Sequence, residues 1–241
     1  MSALPGCTVY LDDRMVATTD ANGQAVIPDV RQGTHSVKVS RDGYEDWTGT
    51  IHLTSSQVLP ARLVRLSFER RVQVARNHIN AGRVNQGLSA LQELTAEEPN
   101  RPEGYELMGE VYYQQNNFSQ ARETLGRAIE RGGQAQFPVT HDHLGGSDPV
   151  DRAKKEWKEF CRGELIITSG LLRFRGGRPG DDFSVKRSDI HENDLNKWVG
   201  VEIGAFNLKI RTSGVNFNFA PRTKDREESR MIIGLIKTYV R

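Results

Sequence analysis

His141 and His143 stand two apart in Phe137-Pro138-Val139-Thr140-His141-Asp142-His143, a segment over 136–143 that reads as a strand ending at Gly145-Gly146. Alternate residues of a strand share a face, so the two imidazoles have ligand spacing for a transition metal, with His191 or Asp142 as a conceivable third donor. The competing reading is a pair of hydrogen-bonded structural histidines at a strand edge. Other catalytic chemistry is thin. The chain has no nucleophile elbow in a Ser-His-Asp order, no phosphate loop, no carboxylate pair set apart by its surroundings and no His-Glu-x-x-His. Gly176-Gly177-Arg178-Pro179-Gly180 is glycine-rich, but it joins two strand patterns and opens no helix, so it lacks the helix start that holds phosphate. Cys7 and Cys161 are far apart and without metal spacing, and read as separate thiols. The expectation is a chain that is not an enzyme and carries no cofactor.

The 241 residues leave room for two or three domains, and 37% hydrophobic with 27% charged residues are the values of a soluble globular protein. No run approaches the ~20 apolar residues that cross a bilayer. The start lacks a basic segment, an apolar core and a cleavage site in sequence. A cytoplasmic protein is expected if the chain is complete, and an extracytoplasmic one is open if it is a piece of something longer. The formal net charge is +2, and residues 135–241 hold 19 basic against 15 acidic residues. That excess is too small to imply nucleic acid.

The elements that would position a binding surface lie in residues 102–133. Tyr105, Met108, Gly109 and Tyr112 fall at helical spacing, Asn116-Asn117 breaks the pattern, and Ala121, Leu125 and Ala128 resume it. A copy lies one period of 34 residues earlier: Val74, Ala75 and His78 precede Met108, Gly109 and Tyr112, while Gly87, Leu91 and Leu94 precede Ala121, Leu125 and Ala128. Pro99 closes the first copy, since proline lacks the N–H that continues a helix. The order of large and small residues resembles the tetratricopeptide repeat. That resemblance implies a groove lined by Val72, Arg76 and Ile79 of one repeat and Glu106, Glu110 and Tyr113 of the next, holding an extended peptide. Members that grip a C-terminal carboxylate use Lys, Asn and Arg there, whereas two glutamates favour a neutral or basic peptide over an acidic one. The alternative is that two repeats form too little groove and act as a rigid spacer. Two repeats also leave their end faces uncovered, so a cap is expected from the β segment before Phe68 and from the segment after Gly133.

Residues 1–66 read as short strands between turns. Thr8-Val9-Tyr10-Leu11, Met15 to Thr19 and Gln24-Ala25-Val26-Ile27 are separated by Asp12-Asp13-Arg14 and by Asp20-Ala21-Asn22-Gly23, and later segments alternate apolar with polar residues. The expected form is a small antiparallel β-sandwich. Pro5-Gly6-Cys7, Val9-Tyr10-Leu11-Asp12, Gln32-Gly33-Thr34-His35 and Asp42-Gly43-Tyr44 with Trp47 resemble the PEGA domain, which implies a structural or adhesive role. Tyr44 and Trp47 either offer an aromatic contact to a partner or pack on the sheet.

Residues 135–241 combine strands with two helices. Asp148 reads as a cap, and Val150, Ala153, Trp157 and Phe160 recur as one face of a helix over 148–162 expected to pin onto the barrel or the repeat end. Strands follow at 163–168, 171–175, 181–186, 198–203, 206–211 and 215–219. A closing helix runs over 223–241, capped by Thr223, with Ile232, Leu235, Ile236 and Tyr239 on one face. About seven strands and a final helix, together with Cys161 to Leu165, Phe206 to Lys209 and Phe217 to Pro221, resemble bacterial PH-like domains. In such domains a cationic loop binds anionic headgroups, which implies Lys154, Lys155, Lys158 and Arg162, with Arg173, Arg175 and Arg178 nearby, as a phosphate or membrane-headgroup site. Asp151, Glu156 and Glu159 interleave with those lysines as an ordinary solvated helix face would.

The reading is a multidomain α+β chain: a small β-sandwich over 1–66, two tetratricopeptide repeats over 68–101 and 102–134, and a PH-like barrel over 135–241. Its expected function is that of a non-enzymatic bacterial adaptor for a protein or peptide partner. Recognition of a membrane headgroup or other anionic phosphate ligand by the barrel is the alternative.

Overall fold

The computed structural model describes residues 3–142, 160–177, 182–195, 204–211 and 216–240. The chain forms two compact units, Met1–Leu94 and Thr95–Arg241. No helix among the described residues is long and apolar enough to cross a membrane.

The first unit opens with strands β1 (Thr8–Leu11), β2 (Arg14–Thr18), β3 (Gly33–Ser40) and β4 (Trp47–Leu53), antiparallel in the order β2-β1-β3-β4. Val9, Val37 and Val39 alternate with polar residues and turn one face inward with Cys7. Ala25, Ile27, Leu59, Ala61 and Leu63 cover that face, and Trp47 and Ile51 pack at its margin. The expected sandwich is therefore one sheet covered by irregular chain. Gln24–Ile27 does not extend into a strand, because the Asp20 carboxylate accepts the N–H groups of Asn22 and Gln24, both at 2.8 Å, and bends the chain into a turn. Val26 is left 86% exposed. Trp47 is half-buried against the core, which is the packing alternative of the two read for it.

The β1–β2 hairpin turns on Asp12 (φ 48°) and Asp13 (φ 61°), the left-handed pair that a two-residue turn requires. Asp12 then organises its neighbourhood. One carboxylate oxygen accepts the Ser36 N–H at 2.9 Å and the other lies 2.7 Å from His35 Nδ1, while His35 Nε2 lies 2.9 Å from the Arg31 carbonyl. Both ring nitrogens face acceptors, so the imidazolium satisfies both contacts and the neutral ring only one. The Asp12 hydrogen bond holds His35 above its ordinary range, and the same contact with Ser36 holds Asp12 below its own. A raised histidine stabilises the fold fully below pH ~6.5 and loses that contribution as pH rises through the folded value; a lowered aspartate contributes above pH ~4 and loses it on acidification. Stability of this unit from the pair is thus expected to be greatest between those limits, and Asp12→Asn to flatten the alkaline fall. Melting temperature against pH for the two proteins checks it.

Helices α1 (Phe68–Asn80) and α2 (Val84–Glu97) follow, with Ser67 Oγ accepting the Arg70 N–H at the start of α1. They approach closely because Gly87 has no side chain: a Cβ there would lie 2.5 Å from Ile79 Cγ1 and 2.9 Å from the Ala75 oxygen. Helix α1 is tied to the β3–β4 turn by Asp42 to His78 at 2.8 Å, Glu45 to Arg70 at 2.8 Å and the Leu66 N–H to the Gly43 carbonyl at 2.9 Å.

The second unit starts at the end of α2 and contains α3 (Pro102–Gln114), α4 (Phe118–Glu130) and α5 (Arg226–Tyr239). Proline opens α3, where its missing N–H costs nothing, and Asn117 caps α4 by accepting the Gln120 N–H at 3.3 Å. The close approach repeats: a Cβ on Gly109 would lie 2.5 Å from Leu125 Cγ. Among the described residues seven strands form one antiparallel sheet in the order β8-β7-β6-β5-β11-β10-β9: β5 (Gln134–Asp142), β6 (Phe160–Thr168), β7 (Leu171–Gly176), β8 (Phe183–Val185), β9 (Ile190–Leu195), β10 (Phe206–Ile210) and β11 (Asn216–Pro221). The sheet curls into a half-barrel. Phe183 of β8 stacks on Phe217 of β11 with ring centres 4.5 Å apart, although three strands lie between them in the sheet.

One core joins helices and sheet. Tyr113, Ala121, Leu125 and Ile129 of α3 and α4 share it with Phe137, Leu165, Phe174, Phe206 and Phe219 of the sheet and with Met231, Ile232, Leu235 and Ile236 of α5. Helix α5 lies against α4 where Gly126 meets the Tyr239 ring and Gly234 meets Arg122, and the Tyr239 hydroxyl donates to Glu130 at 2.9 Å. The expected helix over 148–162 falls largely outside the described residues, and its end is corrected: Phe160, Cys161 and Arg162 belong to β6. The strand expected at 198–203 also lies outside them. The cap of α5 is Asp225, which accepts the Glu227 N–H at 2.9 Å, because Thr223 is engaged with Glu228 instead.

Candidate functional site

The first helix of each repeat carries the residues expected to line a groove, and the structure divides them. Within the first unit, Arg76 is exposed and Val72 half-buried, whereas Ile79 turns onto Gly87 of its own hairpin. Within the second unit, Glu110 is exposed and accepts from Gln114 Nε2 at 3.2 Å. Glu106 is half-buried and accepts the Gln134 N–H at 2.7 Å at the start of β5. Its carboxyl is raised by burial, an effect that the same hydrogen bond opposes. Tyr113 is only 4% exposed and lies edge-on to Phe137 at 5.2 Å. Ile79 thus packs within its own hairpin, Glu106 is engaged by β5, and Tyr113 is engaged by β5 and α5. Arg76 and Glu110 occupy the same place in successive copies of the 34-residue period, and both remain at the surface.

Around Tyr113 the second unit holds a polar network that pattern reading missed. Glu228 is 0% exposed, and its carboxylate accepts from the Tyr113 hydroxyl, the Thr223 hydroxyl, the Thr223 N–H at 2.7 Å and the Arg222 N–H at 3.2 Å. Arg222 lies over the Tyr113 ring at 4.9 Å and donates to the Tyr113 carbonyl at 3.2 Å and to Asn116 Oδ1 at 2.8 Å. Burial and then the Glu228 contact push the Tyr113 phenol up, so it remains a donor across the physiological range. The signal existed in the sequence: Glu228 precedes Ile232 and Ile236 by four and eight residues, which places it on the apolar face of α5.

The cationic candidates separate as well. Arg162, Arg173 and Arg175 are exposed on β6 and β7, with Arg175 opposite Glu164 and Arg173 opposite Ile166 in the pairing. Lys154, Lys155, Lys158 and Arg178 lie outside the described residues. His141 faces the interior of the half-barrel, 4% exposed, with the rings of Phe174, Phe217 and Phe219 at 5.1, 5.3 and 5.2 Å. His143 lies outside the described residues, His191 is exposed on β9, and no group of three His, Cys, Asp or Glu that could hold a metal occurs among the described residues.

A further polar side chain went unread. Asn193 of β9 is 4% exposed, and neither its Nδ2 nor its Oδ1 has a hydrogen-bond partner among the described residues. It lines a cavity of about 190 Å³ between β9 and α5, together with Arg187, His191, Glu192, Asp194, Ile236 and Lys237. Lys209 and then Asn207 hold Glu192 below the usual carboxylate range.

Residues 2–67 match the family model of the carboxypeptidase regulatory-like domain, and residues 75–137 match that of the tetratricopeptide repeat. No curated protein gives a significant match to the chain. The matched β family differs from the PEGA domain that the same residues resemble in sequence. The chain thus joins a β domain similar to the carboxypeptidase regulatory-like family to a tetratricopeptide repeat, a module of protein–protein interaction.

Proposed function

We propose that this chain is a non-enzymatic adaptor that binds a protein segment through the exposed surface of its repeat helices. The observation that carries the reading is Glu110 of α3, left at the surface of the second unit where Glu106 and Tyr113 are occupied; Arg76, at the same place in the 34-residue period, is exposed within the first unit. Each helix is held by its own β body, α1 by Asp42 and Glu45 and α3 by the Glu106 and Tyr113 contacts. Rigid presentation lowers the ordering cost of binding. A partner segment neutral or basic where it meets Glu110 suits this surface. Arg76→Glu and Glu110→Lys are each expected to abolish retention of a protein captured by wild type from native lysate, at an unchanged melting temperature. Retention unaffected by both substitutions would contradict the reading.

A second reading takes the curled sheet β8-β7-β6-β5-β11-β10-β9 with α5 as a PH-like barrel, a reading that the strand order supports. Arg162, Arg173 and Arg175 then offer an outward cationic row to an anionic headgroup. Flotation with phosphatidylserine vesicles, steeply salt-dependent and lost on Arg173→Glu/Arg175→Glu, is its expected result.

A further inference from the structure

We propose that the β4 edge of the first unit pairs with the same edge of a second copy of this chain, antiparallel about a two-fold axis at Thr50. This goes beyond the adaptor reading and stands independently of it. The four-stranded sheet ends in β2 on one side and in β4 on the other. An edge strand presents a row of backbone N–H and C=O groups that its own sheet leaves unpaired, and proteins blunt such edges with bulges, prolines and charges. The two edges differ in this respect. Strand β2 has five residues, begins at Arg14 and pairs with β1 out of register at Val16, a bulge that turns the edge away from a further strand. Strand β4 has seven residues, pairs with β3 without a shift from Trp47 to Leu53, and contains no proline, lysine, arginine or carboxylate. Among the described residues no second strand pairs with it.

The inward side chains of β4 mark the same edge as unfinished. Trp47 and Ile51 pack on the core, yet they and Leu53 stay half-buried, while Val37 and Val39 of the next strand are 2% and 0% exposed. A further strand beside β4 closes that margin. The sequence of β4 suits itself as that strand. With Thr50 facing Thr50, the inward face sets Trp47 of one copy beside Leu53 of the other and Gly49 beside Ile51, and the outward face sets Thr48 beside His52. The Trp47 ring lies across Gly49, where a Cβ would come within 2.6 Å of its Cη2. Ile51 and Leu53 of the second copy therefore meet an aromatic ring and not a bare glycine, a pairing that stabilises neighbouring strands. No like charges meet, because Glu45 and Asp46 fall opposite Ser55 and Thr54. The two-fold axis makes each contact twice. One strand pair buries less than the ~1,000 Å² of a lasting interface, so the dimer is weak.

Sedimentation equilibrium of the full chain is expected to show the mass rising toward that of a dimer as its concentration increases from about 0.1 to about 1 mM. Thr50→Lys, at an exposed position, sets two cations face to face on the axis and should keep the chain monomeric at an unchanged melting temperature. Thr50→Cys should give a disulfide-linked dimer on mild oxidation, since Cα atoms directly opposite lie ~4.5–5.5 Å apart, within disulfide reach. Thr48→Cys places the two thiols at positions roughly 14 Å apart and should cross-link no more than wild type. A dimer that Thr50→Lys leaves intact, or equal cross-linking of the two cysteine variants, overturns the proposal. A wild type that stays monomeric at about 1 mM also overturns it, and leaves the edge to an extended segment of another protein.

Discussion

Glu228→Ala is expected to lower the stability of the Thr95–Arg241 unit by about 3–5 kcal/mol, among the largest effects of any single substitution in the chain. The carboxylate is fully buried and collects four donors, from Tyr113, Arg222 and two groups of Thr223. Truncation leaves those donors without an acceptor in a place water does not reach, and each unmet buried group costs about 1–3 kcal/mol. Tyr113→Phe is the graded control: it removes one donor and keeps the ring against Phe137, so a loss of about 1 kcal/mol is expected. Denaturant unfolding of the full chain, followed by tyrosine and tryptophan fluorescence and by circular dichroism, measures both.

Phe219→Ala is expected to cost about 3–5 kcal/mol for a different reason. Phe219 is 1% exposed and meets the rings of His141, Phe174 and Phe206 at 5.2, 5.2 and 5.5 Å, so its removal leaves a cavity at the centre of the curled sheet. Phe217 is only half-buried, and Phe217→Ala should cost clearly less because water can fill part of the space. Because the core of the sheet is continuous with Leu125 and Ile129 of α4, the melting of helix signal and of near-ultraviolet aromatic signal should shift together in Phe219→Ala. Separate transitions for helix and sheet within this unit would contradict a shared core.

The hairpins of the repeat are legible in the sequence because close helix approach restricts residue type. Ala75 with Gly87 and Gly109 with Ala121 keep small residues at the contact in both copies, and the 34-residue interval does the rest. Which face of each helix stays open is not legible in the same way. Tyr113 and Glu106 sit at groove positions of the repeat, but β5 begins only four residues after α4 ends, and its first N–H and its Phe137 fall on those side chains. That outcome depends on how a following domain folds back, which periodicity does not report. Composition likewise suggests a strand at Gln24–Ile27, yet the Asp20 carboxylate takes the Gln24 N–H at its start, with that of Asn22, and holds the chain in a turn. Glu228 and Asn193 were readable as misfits, polar residues in register with apolar ones, but a single sequence does not tell a misfit from a bulge or a frayed end.

The adaptor reading needs the second repeat to be a rigid extension of the curled sheet, held there by α5 and the Glu228 network. Hydrogen–deuterium exchange on the full chain, wild type against Glu228→Ala, tests that most directly. The account predicts that α3, α4, β5 and α5 lose protection together, while β1, β3 and α1 keep theirs, since these belong to the other unit. Loss of protection confined to α5, with α3 and α4 exchanging as in wild type, would show that the repeat folds without the sheet and would contradict the account.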